Sequence, residues 1–414
     1  MHKFKLKTED LEQYFLEVMN GKRKRWFDRA LLSFLFFVSR FFSNIAKFRL
    51  WLYNSRVIRH HSLGCLVVSI GNLTCGGTGK TPVVEVFARS LSQQGRKVAI
   101  LSRGYRSKNL SFWEKMKQKF NSEHNEIPPK VVSDGENLLM DCEYAGDEPY
   151  MLASNLPKVA VLVDKDRVKS GIYAINHFQT DVIILDDGFQ YLMLRPHINI
   201  VLVDSTSPFG NGHCLPRGIL REPIEHIKRA DYIFLTKTTN SRKNRHLKRF
   251  LNRHCRKAEI IECCHKPQYL QRLYSQEHMP LEGLKGVKAA ALSAIACPQS
   301  FEGFLEKLGA ELVLTDHYAD HHRYTQQEVI DFINQAKAAG AEMIVTTEKD
   351  AVRMPRLDRR DLPIVFLRVE IDILSGRENF DECISRICFN LKPMPDLRDY
   401  RDDEAENNPA KVTE

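Results

Sequence analysis

Short runs rich in Val, Ile and Leu recur along the chain, separated by polar stretches of helical length. Residues 65–70 (CLVVSI) end in a glycine-rich turn, 82–91 carry helical spacing, and 98–102 (VAILS) form the next apolar run. Further runs fall at 159–163 (VAVLV), 181–185 (DVIIL), 198–203 (INIVLV) and 232–235 (YIFL). This alternation of buried-strand and helix patterns predicts a doubly wound, mostly parallel α/β sheet. The alternation resumes with apolar runs at 287–295, 311–314, 343–346 and 364–369 and helical stretches at 299–308 and 326–339. They predict a second, smaller α/β domain.

Three segments break the pattern. Residues 108–130 (KNLSFWEKMKQKFNSEHNEIPPK) combine charge with Pro-Pro and read as an exposed insertion. Residues 241–257 (SRKNRHLKRFLNRHCRK) read as a solvated helix face at a seam between the halves. No pattern of aromatic and glycine residues accompanies that charge, which argues against nucleic acid as a partner. Beyond Pro393 the chain is acidic and almost free of hydrophobes, the composition of a disordered tail. The expected organisation is a helical segment at 1–60, a first domain at 61–250, a second at 251–392, and a tail at 393–414.

The first segment carries a pattern of its own. Residues 26–53 (WFDRALLSFLFFVSRFFSNIAKFRLWLY) are heavily aromatic, but Asp28, Arg29, Arg40, Lys47 and Arg49 interrupt them. A spanning helix needs about 20 nearly uncharged residues. An amphipathic helix lying in the membrane interface fits better, with Lys22–Arg25 as an electrostatic second signal. The first twenty residues lack the apolar run of a secretory signal.

Composition adds little to this picture. The 414 residues are 43% hydrophobic and 27% charged, an ordinary globular balance. A net charge of +9 permits an anionic partner without choosing one. Ten cysteines without a C-x-x-C pair are too dilute for a disulfide scaffold and read as free thiols.

The chemistry is concentrated after the first strand. Residues 71–82 (GNLTCGGTGKTP) lead straight into a helix. Strand, glycine turn and helix with Lys-Thr are the parts of a phosphate-binding loop. Backbone N–H groups of Gly76, Gly77, Thr78 and Gly79 would curl around phosphate oxygens, Lys80 would reach the β/γ-phosphates, and Thr81 would meet Mg²⁺. Thr74 stands where such a loop normally has its first glycine. The strand at 181–185 ends in Asp186 and Asp187, a Walker B pattern for holding Mg²⁺. A guanine-reading N/T-K-x-D motif fails at 236–239 (TKTT), and Cys75 stands where deviant membrane ATPases have a signature lysine.

Seven segments in order carry a more specific resemblance: 71–82, 102–105 (SRGY), 146–149 (GDEP), 186–190 (DDGFQ), 210–223 (GNGHCLPRGILREP), 320–324 (DHHRY) and 346–353 (TTEKDAVR). Together they resemble the tetraacyldisaccharide 4′-kinase family of lipid A biosynthesis, over about residues 25–370. The resemblance implies ATP- and Mg²⁺-dependent phosphorylation of the 4′-hydroxyl of a tetraacyldisaccharide 1-phosphate. It also implies peripheral attachment to the cytoplasmic face of the bacterial inner membrane. By the same resemblance Lys80 neutralises the transferring phosphate, Thr81, Asp186 and Asp187 serve Mg²⁺ with help from Glu148, Asp147 with His321 activates the hydroxyl, and the second domain closes over the site. Arg103, Tyr105, Arg167 and Arg221 become candidates for substrate phosphate and sugar. His317 and His322 crowd His321, although the DHH context favours His321. Tyr191 replaces the His that usually follows DDGFQ. The rival reading is a membrane-attached ATPase switch, which needs no hydroxyl-activating pair.

Overall fold

A computed structural model describes residues 14, 17–19, 21, 23, 25–104, 127–238, 243–275, 277–357 and 361–391. Tyr105, nearly all of the 108–130 insertion and the 393–414 tail lie outside the described residues.

In chain order, helix α1 (Trp26–Asn54) precedes β1 (Leu66–Asn72), α2 (Lys80–Gln93), β2 (Val98–Ser102) and β3 (Lys130–Ser133). Next come α3 (Cys142–Ala145), α4 (Asp147–Asn155), β4 (Ala160–Val163), α5 (Arg167–Phe178), β5 (Val182–Asp186) and β6 (Ile198–Asp204). After β7 (Tyr232–Thr236), α6 (Lys243–His254) leads into the long β8 (Glu259–Arg272), followed by β9 (His278–Met279) and β10 (Lys288–Ser293). The remainder is α7 (Pro298–Lys307), β11 (Glu311–His317), α8 (Gln326–Ala338), β12 (Met343–Thr347), α9 (Glu348–Ala351), β13 (Ile364–Ser375) and α10 (Arg377–Ser385).

All of these strands join one sheet of 13, in the order β11-β10-β12-β13-β8-β7-β6-β1-β5-β2-β4-β3, with β9 beside β8. Most neighbours are parallel; β13–β8, β3–β4 and β8–β9 are antiparallel. β8 and β13 therefore form the ribbon that joins the strands of the two halves.

Successive residues of β1 serve opposite faces. Leu66, Val68 and Ile70 pack with Val83 and Phe87 of α2, whereas Val67 packs with Ala174 of α5 on the other side. On the α2 face Phe87 meets Phe234 and Phe380 edge-on, at centroid distances of 5.5 and 5.0 Å. Local signals set the helix starts. Asp166 accepts from the N–H groups of Val168 and Lys169 ahead of α5, and Thr325 with Glu328 makes a capping box for α8.

α1 buries Leu35, Leu50 and Tyr53 together with polar residues and leaves most of its aromatic rings outside. Its buried residues include Asp28, Ser39 and Ser43, while Trp26, Phe37 and Phe41 are 81%, 71% and 69% exposed. Ser39 donates to the Cys214 carbonyl at 2.8 Å, Phe36 meets His213 edge-on, and Arg49 donates to the Gln190 carbonyl at 2.8 Å. Polar contacts seat the helix on the 210–223 loop and the DDGFQ turn, leaving an aromatic stripe outside.

Candidate active site

β1 feeds into the glycine turn, where Gly76 has φ 110° and Gly79 has φ 79°. α2 starts at Gly79 with no side-chain cap, so its first N–H groups remain available to a ligand. A Cβ at Gly79 would lie 3.0 Å from His265 Nε2, so close packing as well as backbone conformation calls for glycine. Neighbouring strands brace the loop. Asn72 donates to Thr78 Oγ1 at 2.9 Å, Thr236 donates to the Thr78 carbonyl at 2.8 Å, and the Lys237 ammonium donates to the Gly77 carbonyl at 2.8 Å. Lys237 is itself paired with Asp204 at 2.7 Å. Thr236 and Lys237, from the stretch that fails as a guanine reader, thus brace the phosphate loop.

Lys80 Nζ lies 3.1 Å from Asp187 Oδ1, and Arg221 reaches the same carboxylate at 2.6 Å. Burial opposes ionisation of Asp187, but Lys80 and Arg221 outweigh it and hold the carboxyl below its ordinary value. Asp186 differs. It accepts from Ser102 at 3.0 Å, yet burial and then the charge of Glu148 push its carboxyl up to about 7. Among the described residues no cluster of three His, Cys, Asp or Glu side chains could hold a metal alone. Magnesium shared with nucleotide phosphates needs only one or two protein carboxylates. The under-compensated Asp186 and the buried Thr81 at the first turn of α2 fit that role, whereas Asp187 is already engaged with two cations.

Asp147 and His321 come from opposite halves and meet. His321 Nδ1 lies 2.9 Å from Asp147 Oδ2, and the Lys349 ammonium lies 3.2 Å from His321 Nε2. Nδ1 faces both the Asp147 carboxylate at 2.9 Å and the Arg353 Nη2 group at 3.2 Å; the shorter contact is to the acceptor and Lys349 only donates, which assigns the proton to Nδ1 and leaves Nε2 accepting. Arg353, its side chain fully buried, donates from Nε to Asp147 Oδ2 at 2.8 Å, and Arg323 stands 3.5 Å from Oδ1. Burial alone would raise the Asp147 carboxyl, but His321, Arg353 and Arg323 together bring it down to about 2. His321 takes φ 67°, an uncommon conformation for a non-glycine residue. The other two histidines turn elsewhere, His317 to Glu302 and His322 to Glu328 at 3.1 Å.

Arg167 is buried at the start of α5, and its Nε has no hydrogen-bond partner among the described residues. Burial, with the neighbouring Arg103 charge also working against it, lowers its pKa despite Tyr191 and the two aspartates. A buried guanidinium with an unmatched N–H favours an anion. Tyr191 has a defined task here. Its hydroxyl accepts from the Arg167 backbone N–H at 3.1 Å, and its ring lies 4.9 Å from the guanidinium carbon.

Sequence reasoning assigned no role to the ion cluster between α2, α4, α9 and β13. Arg368 donates to both Glu348 oxygens at 2.7 Å and also pairs with Glu85. Arg89 links Glu85 to Glu370, and Asn155 donates to Glu348 at 2.6 Å. Lys349, Asp350 and Arg353 all lie in the 346–353 motif, which was the available signal for a site contribution from the second half.

The chain matches the model of the tetraacyldisaccharide-1-P 4′-kinase family over residues 31–388. A tetraacyldisaccharide 4′-kinase of Halothermothrix orenii is 34% identical over 392 residues, covering 91% of this chain and 98% of that protein. Its counterpart from Syntrophus aciditrophicus is 39% identical over 329 residues, covering 78% and 84%. Among solved structures, LpxK from Aquifex aeolicus in complex with ATP is similar at a TM-score of 0.66 and 28% identity, covering 87% of this chain and 100% of that one.

Proposed function

The chain belongs to the tetraacyldisaccharide-1-P 4′-kinase family, and on that premise we propose that it transfers the γ-phosphoryl group of ATP to the 4′-hydroxyl of a tetraacyldisaccharide 1-phosphate. The observation that carries this reading is the Asp147–His321 contact of 2.9 Å across the two halves, joined by Lys349 and Glu148 to the phosphate-loop side. An ATPase switch has no use for such a pair.

A sugar hydroxyl is a weak acid and needs a base as it attacks phosphorus. His321 takes the 4′-OH proton on Nε2 as the new O–P bond forms and the bond to the β-phosphate oxygen breaks, leaving ADP. Asp147, held ionised, fixes the tautomer and balances the imidazolium that results. Backbone N–H groups at 76–81 and Lys80 hold the phosphates in line. Thr81 and Asp186 would hold magnesium, which would supply charge neutralisation at the phosphates. Arg103 and Arg167 take anionic or hydroxyl groups of the acceptor. Arg221, paired with Asp187, acts through that carboxylate and Lys80.

With γ-labelled ATP and the tetraacyldisaccharide 1-phosphate, label is expected in the organic phase. Lipid-independent release of free phosphate would instead favour the switch.

Delivery of such a lipid asks for a protein that sits at the membrane surface, on the side where ATP is found. The exposed aromatic stripe of α1 supports peripheral attachment there. Phe37→Glu together with Phe41→Glu should leave the fold intact, because both rings are outside. Each lost ring removes about 1.5–3 kcal/mol of burial in the interface, so binding to phospholipid vesicles should fall at least a hundredfold in a sedimentation assay. Unchanged sedimentation would remove α1 as the anchor.

A further inference from the structure

The site contains a cation that this mechanism leaves unused. Lys349 stands 3.2 Å from His321 Nε2, 3.4 Å from Asp320 Oδ1 and 3.9 Å from Glu148 Oε1. While it donates to Nε2, that lone pair cannot receive the hydroxyl proton. The structure therefore holds the base in a covered state.

Lys349 is also held loosely. Charge-assisted N–H···O bonds run at about 2.7–2.9 Å, and each contact this ammonium makes with the described residues is longer. Its side chain is 25% exposed, and its carboxylate neighbours Asp320 and Glu148 are 38% and 37% exposed. Its direction of travel is set by Glu148, at the start of α4, a helix that packs against both α9 and the phosphate-loop helix α2. A γ-phosphate beside Asp186 would bring more negative charge than either partially solvated carboxylate. Lys349 belongs to α9, in the second half, so its capture would also draw that half toward the nucleotide.

Resting on the kinase reading above, we propose that Lys349 is a γ-phosphate sensor: it covers His321 Nε2 in the absence of triphosphate and moves onto the γ-phosphate when ATP binds, uncovering the base. Diphosphate, gripped by the loop and Lys80, lacks the group that draws Lys349 away. The base is thus exposed only when there is a phosphoryl group to transfer.

Calorimetry with Mg²⁺ and either ADP or the β,γ-methylene analogue of ATP tests this directly. Lys349→Met should weaken the triphosphate analogue about tenfold or more and leave ADP affinity unchanged, which also reports an intact fold. Lys349→Arg should restore part of the analogue's affinity. Equal losses for both nucleotides, or no loss for either, would overturn the proposal. A second measurement uses the unaltered protein with ¹⁵N-labelled histidine, the His321 signal being identified by its loss in His321→Asn. The Nε2 resonance should move toward that of a free acceptor with the analogue and stay in place with ADP; a shift common to both, or absent from both, counts against the sensor. Failure of the kinase reading is recognised separately, as absence of label transfer to lipid by the wild type.

Discussion

His321→Asn is expected to lower lipid phosphorylation at saturating ATP by about 10²–10⁴-fold, the usual contribution of a general base, while ATP affinity stays within about twofold. Asparagine is the apt replacement because it tolerates the left-handed backbone that residue 321 adopts at φ 67°. Asp147→Asn should give a comparable loss of turnover for a different reason. The imidazole loses the carboxylate that fixes its tautomer and balances its charge, and Arg353 loses its anionic partner. The Arg353 side chain is fully buried, with Asp350 at 3.3 Å the one anion left beside it among the described residues. Breaking a buried pair from one side costs about 3–5 kcal/mol, so this variant should also melt earlier, whereas His321→Asn should melt close to the wild type. Turnover at saturating ATP and lipid, read beside a melting curve, separates the two. If either variant kept wild-type kcat, the dyad would not be the base.

Asp147 also leaves a trace in acid. Its carboxyl drops from 3.8 to about 2 on folding. A depressed acid stabilises the folded state above its unfolded value and loses that contribution as pH falls through the folded one. A shift of this size corresponds to about 2 kcal/mol. Between pH 4 and pH 2 the wild type should therefore lose stability more steeply than Asp147→Asn, in denaturant titrations at each pH.

The phosphate loop was legible in the sequence because its parts are contiguous: a strand, glycines, Lys-Thr and a helix fall within residues 66–93. Strands β1, β2, β4 to β7 and β10 to β13 were legible as apolar runs. β8 was not, because it crosses the join between the halves and carries Glu262, His265, Lys266 and Pro267 among its hydrophobes. Half-exposed strands that pair across a seam do not need an unbroken apolar pattern. The same distance problem hid the chemistry of the second half. Glu85, Glu348 and Arg368 are far apart in sequence and become a cluster only once α2, α9 and β13 pack together. Motif reading found the stretch that holds Lys349 and Arg353, but nothing in its spacing says that one faces His321 Nε2 and the other Asp147. Tyr191 is a further case: as a departure from a motif it looked like a loss, and its contact with Arg167 appears only when α5 is in place.

Removal of that buried cluster's central cation gives the other large effect. Arg368→Met should destabilise the protein by about 3–5 kcal/mol, the cost of leaving buried charge without its partner. Glu85 and Glu348, with side chains 6% and 14% exposed, would then face each other with only Arg89 and Asn155 to help among the described residues. Even with Arg368 in place, burial already holds the Glu85 carboxyl above its ordinary value. Without the guanidinium it rises further, and a raised acid is relieved by taking up a proton. The gap between Arg368→Met and the wild type should therefore be widest near neutral pH and narrow as pH falls through the acidic range. Adding Glu85→Gln should recover part of the loss at pH 7 and little at pH 4, since it removes a charge that acid would already have removed. Chemical unfolding of the single and double variants at both pH values checks the argument. A gap that did not depend on pH would mean that Arg368 contributes by packing its stem rather than by holding the two halves together through charge.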